Sequence, residues 1–383
     1  MNKIGVALVK KKKNKHKKKK LNFLKKKKVG YGKMGSVYLD ILRKVGQAEL
    51  LYVVGSNKEK LEKSVTQLGG CKATTNIEDC LKDSKVKAVI ISSSEDTHYN
   101  FISASLKAGK SVLCEKPLCL SSEQSKECYE LAKKNNVTLM TAFNRRFDQS
   151  YMRLKENLDN KVIGEHAEMI KLTTREPIGE KPTNHLVYSH LIHDIDMAIW
   201  LTGGKKVVDV YAVQSNPHSI IAVLRFDNGI IATLNYSTLI NYGYDQRCEV
   251  HCAGGMIQLE NETISNIQIS SAKGKHHDNL KNSFQHRYDE SYLRECEHFF
   301  DCVQNSKEPS VLAADVIEGA RVAETLIAFL EKKQTTYKVE TIKKPVLDIS
   351  LNENAIKKLD KKTVGVVLVG AGQMGKYNFQ KII

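Results

Sequence analysis

One glycine pattern, G-x-G-x-M-G, occurs twice in this chain, and it constrains the fold more than any other feature. Gly30-Tyr31-Gly32-Lys33-Met34-Gly35 lies near the start and Gly370-Ala371-Gly372-Gln373-Met374-Gly375 near the end. The end copy follows directly on an apolar run, Val364 to Val369. The front copy has the same kind of run, Ile4 to Val9, but a lysine-rich block stands between run and loop. Between a strand and a helix, these glycines suit a pyrophosphate. The first makes the tight turn, the second lets backbone approach phosphate, the third lets helix pack on strand, and the helix N-terminus supplies free N–H donors. A purely structural glycine turn is the alternative, and the strands and helices that follow argue against it.

The first 147 residues alternate short apolar strands with helices. Strands are predicted at 4–9, 49–54, 87–92, 111–114 and 137–142, with helices at about 34–45, 57–68, 97–108 and 121–135. That alternation predicts an α/β fold, a Rossmann-type parallel sheet covered on both faces. From 148 to 342 the period changes to two, at 165–174, 207–214, 219–226, 229–238 and 247–252, and Asp227-Asn228-Gly229 reads as a hairpin turn. Helices are predicted at 184–202, 289–305 and 313–332. The second domain is therefore α+β with an open, mostly antiparallel sheet. Residues 343–362 read as a linker. Residues 363–383 read as the start of a second dinucleotide-binding module cut short, since one strand and loop cannot bury their own apolar faces.

The net charge of +17 does not mark a nucleic-acid-binding surface. Residues 10–28 hold thirteen lysines and no acid, which leaves +4 for the rest of the chain. An import or nucleic-acid tail, a solvated insert and translated non-coding sequence are the three readings of the tract. Its position between a strand and its own phosphate loop favours the last, as a disordered insertion at 10–29. No specific nucleic acid is expected as a partner. The nine cysteines show no C-x-x-C, are odd in number and follow no secretory signal, so they read as reduced thiols of a cytoplasmic protein. Apolar runs fall short of the ~20 residues of a membrane span, and no metal site is expected.

Candidate site residues come from position. An acid about 20 residues past the glycine loop binds the ribose hydroxyl in NAD sites. Here the second strand ends in Val54-Gly55-Ser56-Asn57-Lys58, which offers no carboxylate and favours NADP over NAD, with Ser56 as a contact. A plain turn at Gly55 is the alternative. Lys116 stands just past the strand 111–114, where open α/β sheets bind ligands and where an amine can help move a proton. An ordinary lysine–proline turn fits the spacing too. On the helix 184–202, Ser189, His193, Asp196 and Trp200 fall on one face, and His193 is a candidate base or else a satisfied core histidine. His190, His193 and Asp194 have only generic spacing for a metal.

Taken together, the glycine loop, Asp96-Thr97-His98, Ala108 through Glu115-Lys116-Pro117, Phe143-Asn144-Arg145-Arg146-Phe147-Asp148, His193-Asp194-Ile195-Asp196 and Trp200-Leu201-Thr202-Gly203 resemble the glucose–fructose oxidoreductase/inositol dehydrogenase (Gfo/Idh/MocA) family. The likeness is nearest the inositol 2-dehydrogenase branch and covers about 1–342 apart from the lysine tract. It implies hydride transfer between nicotinamide and a carbinol carbon of a cyclic polyol or sugar, with NAD or NADP as cofactor and a homo-oligomer built on the second sheet. Lys116 then stands beside the reacting oxygen and His193 acts as acid/base. Cofactor contacts fall to Gly30, Gly32, Lys33, Met34, Gly35, Ser56, Ser93, His98, Glu115 and Lys116. Arg145, Arg175, Ser189 and His193 face the substrate. Family inositol dehydrogenases often place an aspartate four residues before the histidine, where this chain has Ser189. With the interrupted glycine loop, that motivates a second reading: a catalytically weak dinucleotide-binding protein.

Overall fold

In the computed structural model, residues 3–10, 33–57, 59, 61–62, 65–66, 70–272 and 274–332 are described. The first and second glycines of the front loop, most of the lysine tract, part of the predicted helix 57–68, the linker and the C-terminal glycine copy lie outside them.

Six strands form the first sheet: β1 Ile4–Lys10, β2 Ala48–Gly55, β3 Lys72–Thr74, β4 Val86–Ile91, β5 Ser111–Glu115 and β6 Leu139–Ala142. Their order is β3-β2-β1-β4-β5-β6, and every pairing is parallel. This is the Rossmann order, in which the crevice between β1 and β4 marks the reversal of strand order. Helices cover both faces, so β1, β4 and β5 are buried almost throughout and need the unbroken apolar runs seen in the sequence. Short β3 carries too little apolar pattern to be read in advance.

The lysine tract leaves this arrangement in place on either side. β1, before it, pairs with both β2 and β4 at the centre of the sheet. The helix Lys33–Leu42, after it, is the first helix of the series. A Cβ added at Gly35 would stand 2.7 Å from the end of the Lys10 side chain, so strand end and helix start meet there.

The second sheet runs β12-β11-β7-β10-β9-β8, with β7 Ala167–Arg175, β8 Val207–Asn216, β9 Ser219–Phe226, β10 Ile231–Ser237, β11 Asp245–Cys252 and β12 Gly255–Leu259. All pairings are antiparallel except β7 with β10, which is parallel. Gly229, at φ +88°, makes the predicted β9–β10 hairpin, a backbone setting that favours glycine. One face packs on the helices Ile192–Leu201 and Ala313–Glu331. The other leaves Met169, Tyr211, Ile221 and Ile231 exposed. His276 and His277, read from sequence as loop, form an exposed strand, Gly274–His277, paired with Gln268–Ser271.

The predicted helix 184–202 is three pieces. Thr183–Leu186 is α-helical, Val187–Leu191 is a π-helical turn and Ile192–Leu201 is α-helical again. π-turns are uncommon and gather at functional sites.

Between the sheets, the short turn Asn144–Phe147 carries two buried arginines. Arg145 pairs with Asp194 at 2.5 Å. Arg146 forks onto Asp196, at 2.6 and 3.0 Å, and reaches Asp315 at 2.9 Å. Removing one member of such a set leaves the others charged and buried. Arg146→Met is therefore expected to cost about 3–5 kcal/mol in urea unfolding, whereas adding Asp196→Asn and Asp315→Asn to it should return part of that loss.

Candidate active site

A cavity of about 420 Å³ opens where the carboxyl ends of β4 and β5 meet the π-turn and the end of β7. β5 delivers Glu115 and Lys116, and the loop after β4 delivers Ser92, Ser93 and Glu95. The turn after β6 adds Asn144 and Arg145, and the split helix adds His185, Ser189, His190 and His193. Lys116 and His193 thus come from different parts of the chain to one cavity.

Lys116 Nζ donates to the backbone carbonyl of Ser189. His193 lies deep, with a ring edge on the cavity and its ring against Phe143 at 6.3 Å. Its Nδ1 is buried without a hydrogen-bond partner. Burial first, then the charges of Lys116, Arg145 and His190, hold its pKa well below the usual histidine value. His193 is therefore a neutral imidazole near pH 7, able to accept a proton.

His98, nearly fully buried, is a clamp. Its Nδ1 lies 2.8 Å from the Pro117 carbonyl and its Nε2 3.3 Å from the Ser93 carbonyl, and the one N–H of the neutral ring serves the shorter contact, packing the loop after β4 against the turn that bears Lys116. Glu115 accepts from Tyr38 Oη at 3.0 Å, and the same phenol is 3.4 Å from Glu295. Burial, then the nearby Glu115 charge, raises Glu295 well above the carboxylate range. Arg145 lines the cavity with Nη2 unpartnered, as does Tyr288 with its hydroxyl.

The structure revises one expectation. Arg175 is not among the cavity residues. Alternation along β7 turns Thr174 inward and Arg175 to the other face, where its guanidinium is taken by Asn235 on the neighbouring strand. Ser56 is exposed just beyond the end of β2, as its reading as a cofactor contact supposes. Asp196 and Trp200 share a helix face with His193 but lie further along the axis, where they meet Arg146 instead of the cavity. Asp194 is engaged by Arg145 and Thr174, and among the described residues no cluster of metal-ligating side chains forms.

Sequence reasoning passed over Glu95, Glu176, His185 and Tyr288. Glu176 is buried against His190 at 3.2 Å. Burial raises its pKa, but the His190 hydrogen bond and the charges of His190, Arg145 and Lys116 outweigh this and leave it lowered. No spacing rule marks it, because its partners are distant in sequence.

The residues on the Rossmann side fit a dinucleotide. Gly35 opens the helix start against Lys10, and Ser92 and Ser94 present buried hydroxyls without hydrogen-bond partners. Gly55 packs so closely that a Cβ would lie 3.0 Å from the Lys10 carbonyl, which accounts for the missing side chain there.

The depressed His193 pKa has a stability consequence. Below about pH 6.5 the unfolded histidine takes up a proton that the folded one refuses, so stability falls as pH drops through that range. His193→Gln should flatten this part of the curve in urea unfolding between about pH 6.5 and 5.

Comparison with known proteins bears on the family of the fold. Residues 28–143 match the oxidoreductase family's NAD-binding Rossmann fold, and residues 178–341 match its C-terminal alpha/beta domain. The first match begins after most of the lysine tract. Myo-inositol 2-dehydrogenase of Thermotoga maritima is 31% identical over 304 residues, 75% of this chain and 90% of the relative. A scyllo-inositol 2-dehydrogenase (NAD(+)) of Bacillus subtilis is 31% identical over 304 residues, 75% and 88% of the two chains. The solved structure of a probable dehydrogenase from Thermotoga maritima superposes with a TM-score of 0.76 at 27% identity, over 86% of this chain and 98% of that one. With a Rossmann sheet, a second α/β domain and a shared cavity between Lys116 and His193, the chain belongs to the Gfo/Idh/MocA oxidoreductase family.

Proposed function

We propose that this chain is an inositol dehydrogenase-like enzyme that moves a hydride between a nicotinamide dinucleotide and a carbinol carbon of a cyclic polyol. The observation that carries the reading is the convergence of Lys116, His193 and Arg145 on one cavity beside the crevice of the parallel sheet. Unpartnered polar atoms at Arg145, His193 and Tyr288 suit a ligand dense in hydroxyls. The inositol dehydrogenases among its relatives support the same substrate class.

When bound, the nicotinamide supplies the hydride acceptor. Lys116 keeps one N–H on the Ser189 carbonyl and gives another to the reacting oxygen. Neutral His193 accepts the hydroxyl proton as the C–H bond gives up its hydride. Arg145, Asn144 and the Glu176–His190 pair orient the remaining hydroxyls. Met34, Gly35, Ser93, His98, Glu115 and Lys116 form the described part of the cofactor side, continued by Gly30, Gly32 and Lys33 of the loop. In this reading residues 1–147 carry the cofactor and 148–342 the substrate and subunit contacts.

The family match and the NAD(+)-named relative support NAD, and the lean to NADP from Ser56 finds no support there. Nine buried free cysteines, and the absence among the described residues of a helix able to cross a membrane, support a cytoplasmic location. The apolar outer face of the second sheet supports a homo-oligomer. The reading as a weak dinucleotide binder keeps one specific motive, the tract that separates β1 from its helix.

Titration with NADH and NADPH by fluorescence, on the full chain and on a version lacking residues 11–29, tests the base of this reading. Both versions are expected to bind NADH more tightly than NADPH, and failure of both to bind either would sink it. With inositols as substrates, Lys116→Ala and His193→Ala should each lower kcat by about 10²–10⁴-fold. Full activity in the Lys116 variant would remove the mechanism, and binding without turnover would favour the weak-binder reading. In sedimentation analysis, Ile231→Asp with Met169→Asp should yield a smaller species than the parent chain.

A further inference from the structure

His193 sits one turn after Ser189, a residue with only a hydroxyl to offer. The structure brings a carboxylate to that hydroxyl from the other side of the cavity. Ser189 Oγ donates to Glu95 Oε1 at 2.5 Å, across 94 residues of sequence. Glu95 opens the short turn Glu95–Thr97 after β4, on the Rossmann sheet, whereas Ser189 lies in the π-turn. The bond therefore straps the cofactor side of the cavity to the wall that bears the histidines.

Ser189 is held at both of its oxygens. Its hydroxyl has one proton, given to Glu95, so the contact of Oγ with His185 Nδ1 at 3.1 Å is a bond from the ring N–H. That order places the His185 proton on Nδ1 and leaves the Nε2 lone pair free as an acceptor. The Ser189 carbonyl meanwhile receives Lys116 Nζ. Glu95, Ser189, His185 and Lys116 all line the cavity. Glu176, the other carboxylate toward the histidines, is engaged by His190. Glu95 is thus the carboxylate bound to the π-turn, with His185, His98 and Glu115 in its field, while Lys116 acts on Glu115 and Glu176.

We propose that Glu95 is a positioning residue for the reaction: through Ser189 it adds a negative charge, besides that of Glu176, at the histidine-bearing wall and fixes the carbonyl on which Lys116 rests. The role rests on the dehydrogenase reading given above. It places one part of the acid–base apparatus on the cofactor side, so the two halves of the cavity must be together for Lys116 to be aligned. It also makes Ser189 a connector, where the sequence had suggested a missing acid.

Moving the charge tests the proposal. In the full chain, Glu95→Gln keeps a partner for Ser189 but removes the charge, and it should lower kcat about tenfold with KM within about threefold. Combining it with Ser189→Asp puts a carboxylate on the π-turn with an amide donor at 95, and should restore kcat to within about threefold of the parent. In dinucleotide-free protein, trace acetylation read by mass spectrometry should label Lys116 several-fold faster in Glu95→Gln than in the parent, about the size expected for a weakened charge-assisted contact. A Glu95→Gln kcat within about twofold of the parent, or a double variant no better than Glu95→Gln, overturns the proposal. If the parent binds dinucleotide yet turns over no polyol, the functional reading fails, and the labelling decides alone: an unchanged Lys116 rate in Glu95→Gln overturns the strap.

Discussion

The two neighbouring arginines of the turn Asn144–Phe147 hold the arrangement on which the rest of the cavity depends. Arg145 takes Asp194 and Arg146 takes Asp196, so one short turn after β6 grips one helix at two adjacent points. Arg146 also reaches Asp315, at the start of the helix Ala313–Glu331. Burying these charges is unfavourable unless each finds its counter-charge in good geometry. Once satisfied, they leave little freedom in how the histidine helix sits over the end of the parallel sheet. His193, between Ile192 and Asp194, is placed by this grip.

The same arginine shapes the chemistry. Arg145 lines the cavity while paired with Asp194, and after burial and Lys116 it adds to what keeps His193 from gaining a proton. A neutral imidazole facing an ammonium is a pairing suited to proton acceptance from a hydroxyl held between them. The negative groups stand off from His193, Glu176 against His190 and Glu95 against Ser189. Charge is thus distributed so that the base stays neutral.

The parallel sheet was legible because its strands are buried on both faces, so each appears as an apolar run with a helix between runs. The half-buried strands of the second sheet announced themselves by period two, and Asp227-Asn228-Gly229 gave the hairpin. The parallel neighbour relation of β7 and β10 was not legible, since it joins strands far apart in sequence and leaves no local mark. The π-turn escaped for a different reason: apolar spacing registers that a helix continues, not that one turn widens. Arg175 looked like a site residue by family analogy, and strand alternation sent it to the opposite face. Glu95 and Glu176 carried no signal at all, because each is defined by a partner in another part of the chain.

By itself the sequence determined the two fold types, the strand-end position of Lys116 and the histidine helix, since these follow from local periodicity, turn chemistry and a motif of fixed spacing. It also showed the lysine tract as a local departure from an otherwise ordinary charge balance. Only the tertiary structure decided that β1 and the helix Lys33–Leu42 take their Rossmann places on either side of that tract. Only it brought Lys116, Arg145 and His193 to one cavity and gave Ser189 a carboxylate from across it. Those outcomes depend on burial and on pairing between distant residues, and neither is encoded in any short stretch of chain.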